Sequence, residues 1–131
     1  MKKMDEPVVN QELTALCGIV RRLVEQKDFG QGELLIKKAI GDYIHAPEPH
    51  NLLGLLLEAQ SDHLTAMKHF RAAWALDPTY LPARQNLDYF GSFYPNGKQA
   101  FDESDCPLEK KGNSYVVEYD ANGIRHVVRR V

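Results

Sequence analysis

Cysteine is scarce in this chain: Cys17 and Cys106 are the only two in 131 residues, and they form no CxxC pair. That scarcity excludes a disulfide scaffold and a cysteine-built zinc site, and two unpaired thiols suit a reducing cytoplasm. Long apolar runs are also missing. None approaches the ~20 residues of a membrane helix, and the opening Met1-Lys2-Lys3-Met4-Asp5-Glu6-Pro7 leads into no apolar signal region. A soluble, cytoplasmic protein without membrane contact is expected. Charge of one sign is not in excess either, since 16 basic against 18 acidic residues leave −2, which disfavours general nucleic-acid binding. Nor is there a bias towards disorder: with 44% hydrophobic and 26% charged residues the chain suits one compact globular domain.

Signatures of chemistry are absent too. No GxGxxG, P-loop, GxSxG or HExxH pattern occurs. Among five histidines, His63 and His69 lie six positions apart, so on one helix they point about 240° apart and cannot share an ion. His45 and His50 flank a proline-rich turn, yet no cysteine or carboxylate completes a ligand set. Asp102, Glu103 and Asp105 lack the remaining ligands of a calcium loop and read as solvated surface. No catalytic residue, cofactor or metal is therefore expected, and the chain reads as a non-enzyme.

What is present is an internal repeat. Sliding the chain by 34 residues superposes Ile19, Leu53 and Leu87, then Leu23 and Leu57, Asp28 and Asp62, Gly32 and Ala66, Ile36 and Phe70, Ala39 and Ala73, and Ile40 and Trp74. Small residues at Gly54, Ala66 and Ala73 would let two antiparallel helices approach, while Leu53, Leu57, Phe70 and Trp74 fill the space between layers. Asp77-Pro78 ends the second helix, because proline lacks an amide donor and disfavours α conformation in the residue before it.

In residues 47–80, Leu53-Gly54, Leu57, Asp62, Ala66, Phe70, Ala73 and Asp77-Pro78 resemble the tetratricopeptide repeat (TPR). His50 stands at the family's tryptophan and Ser61 at its turn glycine. The copy at 13–46 is weaker, with Val20, Gly32 and Ile44 at the glycine, alanine and proline positions. Asn10 reads as an N-cap before Gln11, and the second helix of this copy is expected from about Glu33 to Ile44. A third copy supplies one helix from Leu81 to about Phe93. The expectation is thus a mainly α fold, a TPR-like α-solenoid of about five helices over residues 11–93, marginal unless its end is covered.

Residues 94–113 carry turn residues and charges and read as a connector. Residues 114–131 read as a β-hairpin, two β-branched and aromatic runs around Asp120-Ala121-Asn122-Gly123. Because a lone hairpin is marginal in water, Tyr115, Val117 and Tyr119 are expected against Tyr89, Phe90 and Phe93.

The TPR resemblance implies a concave groove lined by the first helices, at Thr14, Cys17, Arg21 and Val24, then Glu48, Asn51, Leu55 and Glu58, then Pro82, Gln85, Tyr89 and Ser92. From these, Cys17, Arg21, Asn51, Leu55, Glu58, Gln85 and Tyr89 form the expected partner-binding site. Leu55 and Tyr89 would be its apolar anchors for a protein or peptide partner, so that Leu55→Glu should weaken binding and leave helicity nearly intact. The subclass that grips chaperone-tail carboxylates is disfavoured, because Cys17, Arg21, Leu52, Pro82 and Asn86 replace its clamp residues. Homo-oligomerisation is another use for a short array. The rival function is a nucleic-acid accessory role for the basic hairpin residues Arg125, Arg129 and Arg130, although basic edge strands also serve merely to discourage aggregation.

Overall fold

A computed structural model of the chain describes residues 6–92, 98–106, 114–119 and 125–130. Five helices follow in order: α1 (Glu6–Glu25), α2 (Phe29–Asp42), α3 (Glu48–Ala59), α4 (His63–Leu76) and α5 (Leu81–Phe90). Their starts alternate in chemistry. Helices α3 and α5 each carry proline in the first turn, Pro49 and Pro82, where the missing amide would have had no partner. Helices α2 and α4 instead follow an aspartate whose carboxylate accepts a first-turn amide, Asp28 from Gln31 and Asp62 from Thr65, both at 3.4 Å.

The 34-residue period is visible in the backbone of the turns. Lys27 and Ser61, 34 positions apart, are both left-handed, with φ of 60° and 66°. Around them the Asp28 and Asp62 amides donate to the Leu23 and Leu57 carbonyls at 2.8 and 2.9 Å, and the Lys27 and Ser61 amides to Val24 and Glu58 at 3.0 Å. This double closure satisfies the last carbonyls of α1 and α3. The same left-handed position thus recurs in both turns, filled by lysine in one and serine in the other.

The core lies between these helices. Val20 from α1, Ile36 from α2, Leu52 and Leu56 from α3, and Ala66 and Phe70 from α4 are fully buried together. Close approach of α3 and α4 depends on Gly54, since a Cβ there would overlap the Phe70 ring. On its other side Phe70 stacks on Phe90 of α5, with centroids 5.6 Å apart and planes at 6°.

Several expectations change. Asn10 lies inside α1, which starts at Glu6, so it is no cap. Helix α2 spans Phe29–Asp42 rather than 33–44, because Asp28 caps it early and Gly32 sits under Leu56, 3.1 Å from where a Cβ would lie. Trp74 does not fill an interlayer space: it is 42% exposed, as is Ile19, and among the described residues no helix after α5 lies over it. Helix α5 ends at Phe90 with Gly91 closing onto Leu87, and Phe93 lies outside the described residues.

Beyond α5, residues 98–106 return to the helices and include a short 3-10 turn, Glu103–Asp105. Within the expected connector 94–113, Ala100 is fully buried and Phe101, 6% exposed, belongs to the main core. At the end of the chain β1 (Ser114–Tyr119) pairs antiparallel with β2 (Arg125–Arg130), in a register from Ser114 opposite Arg130 to Tyr119 opposite Arg125. The turn expected at 120–123 and the strand side chains expected to pack on α5 lie outside what is described.

Candidate functional site

The first helices of the repeats, α1, α3 and α5, share the face across which residues 98–106 run. Each supplies a polar side chain to that segment. Asn51 of α3 and Asn86 of α5, both fully buried, converge on Ala100. The Asn86 side chain accepts from the Ala100 amide and donates to its carbonyl, both at 2.8 Å, and Asn51 donates to the same carbonyl at 3.0 Å. Asn86 also donates to the Asn51 side-chain oxygen at 2.8 Å, so the two amides orient each other. The backbone of Ala100 is thereby held by side chains that read only its peptide groups.

Flanking contacts fix the register of the segment. Gln85 of α5 donates to the Lys98 carbonyl at 2.7 Å and to the Asp105 carbonyl at 3.2 Å. Arg21 of α1 meets the Asp105 carboxylate at 2.5 Å and Asp102 at 3.4 Å, and its guanidinium lies 5.3 Å from the centroid of the Phe101 ring. Asp105 also accepts from the Phe101 amide at 2.9 Å and faces Lys98 at 3.3 Å. Burial would raise the Asp105 carboxyl, but the Phe101 amide, Arg21 and Lys98 outweigh it and hold the group below the ordinary carboxylate value. Asp105, expected on solvated surface, is thus 8% exposed and fully engaged.

Of the seven residues expected to form the groove, Arg21, Asn51 and Gln85 do gather on one face, and they bind the chain's own segment. Cys17 and Leu55 are each 1% exposed, inside the core that Phe101 completes, so Leu55 offers no surface anchor. Leu55→Glu would bury a carboxylate among apolar side chains and unfold the protein, contrary to the helicity-sparing effect expected from the sequence. Glu58 pairs with His63 at 2.5 Å, away from the segment. Tyr89 is half-buried and packs edge-on against Phe90, with centroids 4.8 Å apart. Asn86, read from the sequence only as a departure from a clamp, is the central contact. Its signal would have been its neighbour Gln85, one position away at the repeat offset from Asn51.

Beside the segment lies an open cleft of about 510 Å³, bordered by Thr14 and Cys17 of α1, Glu48 at the start of α3, Asp77 and Tyr80 before α5, and Asp102, Glu103 and Ser104. Burial, with help from Glu48 and Asp102, pushes the Cys17 thiol up to about 12, which favours its protonated form. Glu48 is raised by burial and by Asp77 and Glu103, while the Thr79 hydroxyl and amide hold Asp77 below its ordinary value. The Tyr80 hydroxyl is buried without a hydrogen-bond partner of normal geometry, having only the weakly bonding Cys17 thiol beside it. Elsewhere, His50 does not meet His45 but stacks on His69, with ring nitrogens 3.3 Å apart.

No protein-family model matches the chain, and neither a curated protein nor a solved structure matches it.

Proposed function

We propose that the chain is a non-enzymatic protein-interaction module, a TPR-like α-solenoid fragment of two and a half repeats followed by a β-hairpin, whose first-helix face recognises extended polypeptide. The observation that carries this reading is the grip of Asn51 and Asn86 on both peptide groups of Ala100, with Phe101 as the buried apolar anchor beside it. Backbone hydrogen bonds give such a surface affinity and a pocketed side chain gives it selectivity. Recurrence of the same turn at Lys27 and Ser61 supports the TPR part. Two free thiols are in line with work in the cytoplasm.

The test titrates a fluorescein-labelled peptide of residues 98–106 into full-length Phe101→Ser, in which the resident segment is loosened. Binding that disappears when Asn51→Ala is added is the expected result. A Phe101→Ser protein of intact helicity that ignores the peptide overturns the reading.

One observation favours a second reading. The strand register sets Tyr115 opposite Arg129 and Tyr119 opposite Arg125, so aromatic and basic positions fall on one face of the strand pair. That arrangement suits single-stranded nucleic acid, and affinity for an oligonucleotide that falls steeply with salt would establish it.

A further inference from the structure

Segment 98–106 is held as a ligand is held. Among the described residues no backbone–backbone hydrogen bond joins it to a helix, and its own such bonds close within it, from Asp105 to Asp102 and from Cys106 to Glu103. Helix side chains make the polar contacts instead, from Arg21, Asn51, Gln85 and Asn86. The two asparagines are a second, independent observation. Both are fully buried, and their side chains bond each other and the Ala100 peptide groups rather than any helical backbone. A buried amide is costly unless bonded, so this pair fits a backbone unit that arrives from outside the five helices.

The face reads the positions of the segment unequally. Ala100 and Phe101 are buried, whereas Gln99, Glu103 and Ser104 are exposed. Position 100 therefore takes a small side chain. Position 101 takes an aromatic ring, which enters the core and lies 5.3 Å from the Arg21 guanidinium. Arg21 also meets Asp102 at 3.4 Å and Asp105 at 2.5 Å, so carboxylates one and four positions after the ring supply the complementary charge. A basic segment in the same register would set its cations against Arg21.

We infer that the first-helix face takes, in place of its resident segment, a partner polypeptide of the same pattern: a small residue, an aromatic one, and acidic residues one and four positions after the aromatic. This rests on the peptide-recognition reading and names the partner's chemistry at that face. Residues 91–97 tether the resident segment to the end of α5, so it competes with such a partner at an effective concentration on the order of 1 mM, as for a short linker. The resident segment thereby keeps weak ligands off the face.

The probes are the fluorescein-labelled 98–106 peptide and three versions of it, carrying Ala100→Leu, Phe101→Ala, or Asp102→Asn with Asp105→Asn. Each is titrated into two full-length receptors whose resident segment is loosened, Phe101→Ser and Asp105→Asn. The native peptide should bind both receptors, and wild type more weakly, because the wild-type segment competes. The Ala100→Leu and Phe101→Ala peptides should bind about tenfold more weakly or worse, as expected for a lost anchor. The asparagine peptide keeps its acceptor oxygens and loses only charge, so about a fivefold loss is expected. Arg21→Gln added to either receptor should abolish that fivefold difference. Equal binding of the Phe101→Ala peptide, a charge preference that survives Arg21→Gln, or wild type binding as tightly as the loosened receptors overturns the inference. If the native peptide binds neither receptor while both remain helical, the peptide-recognition reading itself falls. If it binds and all its versions bind alike, that reading stands and only the inferred pattern is lost.

Discussion

Asn86 donates to the side-chain oxygen of Asn51 at 2.8 Å, and the pair closes on the peptide groups of Ala100, which reaches them from beyond the last helix. Every polar atom in this junction is buried, so each bond removed leaves a desolvated partner behind. Asn86→Ala should cost about 2–4 kcal/mol, because it strands the Ala100 amide and the Asn51 oxygen together. Urea unfolding measures the loss, and hydrogen exchange at the Ala100 and Phe101 amides should accelerate before the helices exchange.

Gly54 faces the Phe70 ring across the contact of α3 with α4, so closely that a Cβ there would overlap it. Gly54→Ala would ordinarily favour a helix, yet here the methyl meets the Phe70 ring, and a loss of about 1–3 kcal/mol is expected from overpacking. Phe70→Ala removes the fully buried ring between α3 and α5 and should cost about 3–5 kcal/mol. Thermal denaturation of both variants checks the order, with Phe70→Ala the less stable.

Ser61 and Lys27 occupy left-handed positions that glycine adopts without strain. Ser61→Gly and Lys27→Gly should each stabilise the protein by about 0.5–1 kcal/mol, the relief of the left-handed residue exceeding the added freedom of the unfolded chain. The two turns share no hydrogen bond, so a double variant should show additive gains in urea midpoint.

His50 and His69 predict the acid response. Burial holds both imidazoles below the ordinary value of 6.5, and His50 lowers His69 further. A group whose folded pKa is depressed stabilises the fold while neutral, so that contribution is full above 6.5 and is lost as pH falls through the lower, folded values. Both rings are partly exposed, which limits the loss to under about 1 kcal/mol. Unfolding midpoints between pH 7.5 and pH 5 should drop in the wild type and flatten in His69→Gln.

The period of 34 was legible because the features that encode it are local: aspartate caps, small residues under large ones, and prolines at helix starts, each acting within a turn or two of its own position. Mainly helical structure follows from that pattern, and the helix pairs observed match it to within a few residues at most ends. Errors arose where a local cue was read without its neighbours. Asn10 has the chemistry of a cap but lies within a longer helix, and Trp74 has the size of a core residue but stands where the described residues place nothing over it.

By itself, then, the sequence determined the helices, their turns and three of the side chains on the first-helix face, Arg21, Asn51 and Gln85, since each depends on spacing along the chain. Only the tertiary structure decided what that face holds. The contacts among Asn51, Asn86 and Ala100 span separations of 35, 49 and 14 residues, and a bond from an asparagine to a backbone group imposes no residue type on its partner. Nothing periodic marks residues 98–106 as an occupant rather than a connector. Burial of Phe101 in one core with Leu55 and Cys17, and the cleft left open beside the segment, exist because the chain turns back on its own helices, and pairing at that distance is decided by packing rather than by pattern.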